Sequence, residues 1–174
     1  MQRIMILGSA GSGKSTLSRQ LGEILELPVV HIDTIFWQPG WVGNPRDQVT
    51  ARVIEEADKE AWVMDGNYSA TIEHRAQRAD TIIFIDFNRF ICLYRVVKRR
   101  IKNHGKTRPD MTVGCPERID WEFLKYTWAF PKNRRPLIID TITASDKQVY
   151  HLKTRKQVKT FVKNMENSYS CNES

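Results

Sequence analysis

Cysteine is scarce: Cys92, Cys115 and Cys171 are the only three in 174 residues. Their odd number and wide spacing exclude a disulfide framework and a Cys-x-x-Cys metal knuckle. No apolar run approaches the ~18 residues a membrane helix needs. The opening MQRIMILGSAG lacks the cationic-then-apolar leader and small-residue cleavage site of an export signal, so the chain reads as cytoplasmic. Internal repeats and linkers are absent too. A composition of 41% hydrophobic and 27% charged residues, with 9 Gly and 7 Pro, is close to the globular average and excludes a disordered, collagenous or repeat protein. The length suits one domain.

Acid is missing from one stretch altogether. Residues 89–108 hold 8 basic residues and no Asp or Glu. Residues 1–88 carry 8 Lys and Arg against 12 Asp and Glu, whereas 89–174 carry 19 against 8. Such a basic block is a solvated helix face, a nucleic-acid footprint or a cage for a polyphosphate, and charge alone does not choose among them.

Arg3–Leu7 reads as a buried strand running into Gly8. Leu17, Leu21, Ile24 and Leu25 recur at helical spacing, and Pro28 closes that helix. Val29–Ile32 reads as a second strand ending at Asp33, followed by an aromatic and glycine-rich loop from Thr34 to Gly43. Asn44 is placed to cap the next helix, with Pro45 in its first turn and Asp47 near its positive end. Trp62–Met64 and Thr81–Ile85 are further strands, ending at Asp65-Gly66 and Asp86. In the helix that follows, Phe90, Leu93, Tyr94, Val97 and Ile101 form an apolar face, with Arg95, Arg99 and Lys102 on a polar one. Periodicity stops over 103–118 (NHGKTRPDMTVGCPER), which reads as a mobile loop. A helix over Asp120–Phe130 ends before Pro131, Val149–Leu152 is a fifth strand, and Arg155–Met165 is a last helix with a frayed polar tail. Strands alternating with helices predict an α/β protein with a parallel sheet covered on both faces.

Gly8-Ser9-Ala10-Gly11-Ser12-Gly13-Lys14-Ser15 fits the phosphate-loop pattern G-x-x-x-x-G-K-S/T, with Thr16 next in line. Glycines let the backbone turn so that successive N–H groups approach phosphate oxygens. The helix starting near Lys14 aims its positive end at the anion. Lys14 neutralises the outer phosphates and the Ser15 hydroxyl completes a magnesium shell, which implies ATP and Mg²⁺. A random chain of this length would match at roughly the half-percent level.

The loop at residue 8, Asp33, Asp65-Gly66 and the Arg-rich segment after the fourth strand together resemble the adenylate kinase-like nucleoside monophosphate and small-molecule kinases. More narrowly, LPVVHIDTIFWQPGWV, WVMDGNY, ADTIIFIDFNR and TRPDMTVGCPERIDWEFL are similar to the bacterial DNA topology modulation protein group of that superfamily, over roughly residues 2–163. The resemblance implies a P-loop three-layer sandwich with a five-stranded parallel sheet in the order 2-3-1-4-5. It implies one kinase-like domain over 1–166, an acceptor flap at about 34–60, a lid at about 103–118 and a flexible tail at 167–174. It also implies transfer of the ATP γ-phosphate to a small acceptor, while the narrower group's name implies an effect on DNA supercoiling.

Asp65, ending an apolar strand, is a candidate for magnesium, directly or through water; as a turn-forming Asp-Gly it needs no such role. Asn67-Tyr68 stand in place of the x-Pro-Arg that follows Asp-Gly in the superfamily, so its acceptor-gripping arginine is missing there. Asp33 is a candidate general base or acceptor ligand, His31 a packed strand histidine, and Asp86 a weaker metal candidate. Phe36, Trp37 and Trp41 either stack an aromatic acceptor or pack the flap; Tyr68 is a further acceptor contact. Arg95 and Arg99, and Arg108 and Arg118 in the lid, are candidates to close over phosphates, balance transition-state charge and exclude water. Arg95, Arg108 and Arg118 are the strongest of them. Cys115 has no partner cysteines for a zinc-stapled lid. By resemblance Thr154 lies near adenine. Two function classes follow: an ATP-dependent phosphotransferase, and a nucleotide-gated DNA-binding protein using the basic block. No helix-turn-helix, zinc finger, cold-shock or RNA-recognition motif supports the second.

Overall fold

The computed structural model describes residues 1–103, 105 and 107–170. In chain order the elements are β1 (Arg3–Gly8), α1 (Lys14–Leu25), β2 (Val29–His31), α2 (Ile32–Phe36), β3 (Trp37–Gln38), β4 (Val42–Gly43), α3 (Arg46–Ala57), β5 (Trp62–Asp65), α4 (Ile72–Arg78), β6 (Thr81–Ile85), α5 (Arg89–Lys102), α6 (Trp121–Asn133), α7 (Arg135–Thr143), β7 (Gln148–Leu152) and α8 (Arg155–Ser170). Five strands form a parallel sheet in the order β2-β5-β1-β6-β7, the expected 2-3-1-4-5 arrangement once the small β3–β4 hairpin is set aside. Among the described residues no helix is long and apolar enough to cross a membrane.

Alternation along the strands builds both layers. Met5, Leu7, Met64, Ile82 and Phe84 face one way, against Val49, Val53 and Ala57 of α3, Ile72 of α4, Phe130 of α6 and Ile138 of α7. Ile4, Ile6, Val63, Ile83 and Ile85 face the other way, against Leu17, Leu21 and Leu25 of α1, Cys92 of α5 and Phe161 of α8. The central strands are thus apolar on both faces, as buried parallel strands must be. Helix α1 lies close on the sheet because Gly22 has no side chain: a Cβ there would stand 2.2 Å from Val29 Cγ2.

Several local expectations are corrected. Asp33 does not end a strand: β2 stops at His31 and Asp33 lies in the first turn of α2. The stretch after it is a short helix plus a hairpin rather than an irregular loop. Asn44 does not cap α3, whose N-cap is Pro45. Instead the Asn44 amide donates to Ile35 O at 2.8 Å and its backbone N–H to Phe36 O at 2.8 Å, tying the hairpin to α2. Helix α6 does not end before Pro131 but runs through it to Asn133, where Arg134 N–H closes on Phe130 O at 3.0 Å. Helix α7 has no counterpart in the sequence reading. The expected tail is helical through Ser170, and 171–174, with Cys171, lie outside the described residues.

The largest correction concerns α5. Phe90, Tyr94, Val97 and Ile101 stand 63%, 65%, 43% and 74% exposed, while Cys92 and Val96 are buried and Arg95 and Arg99 turn inward. Phe90 meets Trp128 of α6 edge-on at 5.5 Å. The helix is amphipathic as read, but its buried side is the one carrying the arginines.

Gly22→Ala is expected to destabilise the protein by about 1–3 kcal/mol in urea unfolding, because the new methyl overpacks against Val29. In a Val29→Ala background the same change should cost less, since only the Leu27 carbonyl oxygen, 3.1 Å from the methyl, still crowds it and Ala is the better helix former. An equal loss in both backgrounds would refute the packing account.

Candidate active site

The phosphate loop lies between the end of β1 and the start of α1. Gly13, at φ 103°, precedes α1 without a side-chain cap, and the first turn holds no acid. By contrast α5 and α6 are capped by Asn88 and Asp120. The amino end of α1 therefore keeps free N–H groups and an uncompensated positive dipole, which is what an anion requires. Ser12 Oγ is buried without a hydrogen-bond partner, and Lys14 Nζ folds back to Ser9 O at 3.2 Å. Burial pushes the Lys14 amine below its usual range, with Asp65 and Asp33 pulling the other way. An orphaned hydroxyl, an inward lysine and a bare helix end fit a polyphosphate. Ala10 and the exposed Thr16 flank this cradle.

Two outside groups hold the loop. Asn67, just past β5, clamps the first glycine from both sides: Gly8 N–H donates to its Oδ1 at 3.1 Å, and its Nδ2 donates to Gly8 O at 2.6 Å. Arg95 of α5 donates to Gly11 O at 3.3 Å and Ser12 O at 3.1 Å, and lies over the Phe87 ring at 4.9 Å. Gly11 permits this approach, since a Cβ there would meet Cys92 O at 2.4 Å.

Asp65 ends β5 directly beside β1, where Ile6 is its register partner. Its Oδ2 accepts from Ser18 Oγ at 2.6 Å and pairs with His31 Nδ1 at 2.8 Å. Burial works against a charge on His31, but Asp65 outweighs it and raises the imidazole pKa. Asp33 is solvent-exposed at its edge yet crowded by protein, and lost hydration raises its carboxyl above the usual range against the pull of Lys14. Among the described residues no three His, Cys, Asp or Glu side chains converge as a metal nest. The nearby oxygens of Ser15, Asp65 and Asp110 are nonetheless the hard donors that suit magnesium completed by phosphate and water.

The lid segment folds onto this cleft. Glu117 is 5% exposed and bridges two arginines, its Oε1 2.9 Å from Arg99 Nε and its Oε2 2.6 Å from Arg108 Nε. Arg108 also pairs through Nη1 with Asp110 Oδ2 at 2.7 Å. Asp110 takes a hydrogen bond from the Ser15 hydroxyl, and Arg108 holds its carboxyl below the usual range in spite of burial. Arg118 faces elsewhere, stacking over Trp41 at 4.7 Å.

Residues 37–41 are pinned to residues 112–116. Gly40 N–H donates to Gly114 O at 2.9 Å, Trp41 Nε1 to Pro116 O at 3.0 Å, Thr112 Oγ1 to Trp37 O at 2.6 Å, and Cys115 Sγ to Gln38 O at 3.1 Å. The Trp37 ring meets Phe36 edge-on at 4.8 Å and Trp41 at 5.4 Å. Tyr68 OH donates to Arg46 O at 3.1 Å.

Other candidates lie at the margins. Thr154 Oγ1 accepts from Gln157 N–H at 3.2 Å and so caps α8. Asp86 receives Arg135, with Nε at 3.0 Å and Nη2 at 2.9 Å, and His151 Nε2 at 2.8 Å, so its carboxylate is occupied. The sequence reading missed Asn67 as a clamp and the acids Asp110 and Glu117; their only sequence signal was membership of the GNY and RPDM…GCPER strings. Also missed were Tyr126, which lies against Asn67, and Arg134, which donates to Ser69 Oγ at 3.3 Å.

Solved structures share this architecture. Shikimate kinase from Acinetobacter baumannii, in complex with shikimate, superposes with a TM-score of 0.63 at 18% identity, covering 99% of this chain and 94% of that one. Shikimate kinase from Bacteroides thetaiotaomicron gives 0.57 at 19% identity over 97% of this chain and 98% of the other. A gluconokinase from Sinorhizobium meliloti gives 0.54 at 14% identity over 97% and 91%. This is the P-loop kinase fold. No family model matches the chain. Among curated sequences, the ClpX ATP-binding subunits of Bacteroides thetaiotaomicron and Bacteroides fragilis are 32% identical over 56 residues, which is 32% of this chain and only 14% of theirs.

Asn67→Ala is expected to weaken ATP binding about 10- to 100-fold in equilibrium titration, because both hydrogen bonds that fix Gly8 are lost. An unchanged affinity would show that the loop holds its shape without the clamp.

Proposed function

We propose that the chain is an ATP-binding, magnesium-dependent phosphotransferase of the adenylate kinase-like kind, acting in the cytoplasm on a small acceptor. The observation that carries this reading is the bare amino end of α1 with Lys14, Asp33 close enough to perturb it, and the Arg99–Glu117–Arg108 lid folded over the same cleft. The same geometry supports phosphotransfer over the DNA-binding alternative, because three members of the basic block, Arg95, Arg99 and Arg108, turn toward the phosphate loop and lid.

In this mechanism the loop, with Gly8 held at its base by Asn67, binds the phosphates through the free backbone N–H groups at the amino end of α1 and the Ser12 hydroxyl. Ser15 and Asp65, directly or through water, would hold Mg²⁺, which supplies charge neutralisation on the phosphates. Lys14 orients the γ-phosphoryl. Arg95 fixes the loop, while Arg99 and Arg108 face the developing negative charge. Arg118 holds the lid to the flap through Trp41, keeping water out. Asp33 accepts the acceptor's hydroxyl proton as that oxygen attacks. Trp37 and Tyr68 shape the acceptor side, and Thr154 borders the adenine side.

Lys14→Ala should abolish acceptor-stimulated ADP formation by purified protein while the fold, read by circular dichroism, is kept. Asp33→Asn should lower kcat about 10²- to 10⁴-fold. As a base, Asp33 must be ionised, so wild-type kcat should fall as pH drops through its raised pKa, on a limb lying above the ordinary carboxylate range. That acid limb should vanish from the residual activity of Asp33→Asn. Its survival would exclude Asp33 as the base.

A further inference from the structure

On the phosphotransfer reading, the side of the cleft away from the nucleotide is where an acceptor must lie, and its chemistry is uneven. The loop after β5 is underlain by Arg75, fully buried, whose guanidinium donates only to neutral oxygens: Thr71 Oγ1 at 3.1 Å, Gly66 O at 3.0 Å and Tyr68 O at 2.9 Å. Its remaining charged neighbour, Asp65, is already engaged by Ser18 and His31. At the mouth of the same loop Arg134, between α6 and α7, donates to Ser69 Oγ at 3.3 Å and has no carboxylate partner among the described residues. The adjacent Arg135 is neutralised by Asp86. The Tyr126 hydroxyl lies against the Asn67 amide and within electrostatic reach of both Arg134 and Asp33.

Around the loop after β5 are thus gathered a proton acceptor, Asp33, the neutral polar groups of Asn67 and Tyr126, and an unneutralised guanidinium fork, Arg134. Such a fork is matched by a planar carboxylate or by a phosphate. The flap aromatics that could stack a nucleobase are engaged with protein groups: Phe36, Trp37 and Trp41 pack edge-on against one another and Arg118 covers Trp41.

We infer that the acceptor is a small hydroxylated anion without a nucleobase, its carboxylate or phosphate anchored by Arg134 and its hydroxyl presented to Asp33. In the transfer the acceptor oxygen bonds to the γ-phosphorus as the bond from that phosphorus to the bridging oxygen breaks. The bonding pair leaves on ADP and the hydroxyl proton passes to the Asp33 carboxylate.

The test is ADP formation from ATP and magnesium with four separate pools: hydroxylated carboxylates (shikimate, gluconate, glycerate), sugar phosphates, neutral nucleosides, and nucleoside monophosphates. Stimulation by either of the first two is expected, and whichever responds identifies the anion. Arg134→Met should then raise the acceptor KM roughly 10- to 100-fold and leave the ATP KM unchanged, with Arg134→Lys intermediate. Turnover confined to nucleosides or their monophosphates, or an acceptor KM indifferent to Arg134→Met, would overturn the inference and leave phosphotransfer standing. If no pool stimulates a protein that binds ATP, phosphotransfer itself fails. Calorimetric titration of the two anion pools into ADP-loaded protein then decides the anion site: heat that Arg134→Met abolishes sustains it, and absence of heat overturns it.

Discussion

The carboxyl end of the sheet is organised around one uncompensated positive charge, the bare amino end of α1. Helices α5 and α6 begin with a side-chain cap and α3 carries Asp47 in its first turn, whereas α1 begins with Gly13, neither capped nor acidic. Leaving these N–H groups unmet costs stability in the empty protein, and the surrounding residues keep the defect open rather than filling it. Asn67 ties the loop to β5 and Arg95 ties it to α5, both through backbone atoms that face away from the cradle. The ligand is left to complete the helix.

A cleft so rich in cations needs internal neutralisation to fold, and the lid supplies it with acids of its own. Glu117 takes the Nε edge of both Arg99 and Arg108, and Asp110 takes one Nη1. Ion pairs this buried survive only when their geometry is good and their partners are shared. The arrangement keeps two arginines side by side despite their repulsion, which is felt in the lowered Arg99 pKa behind the effect of burial.

The sheet was legible in the sequence because buried parallel strands leave apolar runs such as RIMIL and TIIFI, each ending at a turn. The phosphate loop was legible because its function demands residue types at fixed spacing. The orientation of α5 was not, because the rule that arginines seek water fails where a helix borders an anion site: Arg95 and Arg99 find backbone and carboxylate partners there, and the apolar stripe is left outside. Helix α7 was missed because RPLIIDTIT follows a proline-containing helix and carries apolar residues on several sides. Asn67, Glu117 and Arg134 act through partners 9 to 65 positions away, separations that follow no helical or strand period.

The hydrogen bonds between flap and lid have a thermodynamic corollary. Gly40 to Gly114, Trp41 to Pro116 and Thr112 to Trp37 join residues 37–41 to residues 112–116. On the phosphotransfer reading, segments joined in this way move together when either ligand orders one of them. Whatever free energy an acceptor then contributes to that ordering is shared with ATP, and ATP tightens the acceptor by the same factor.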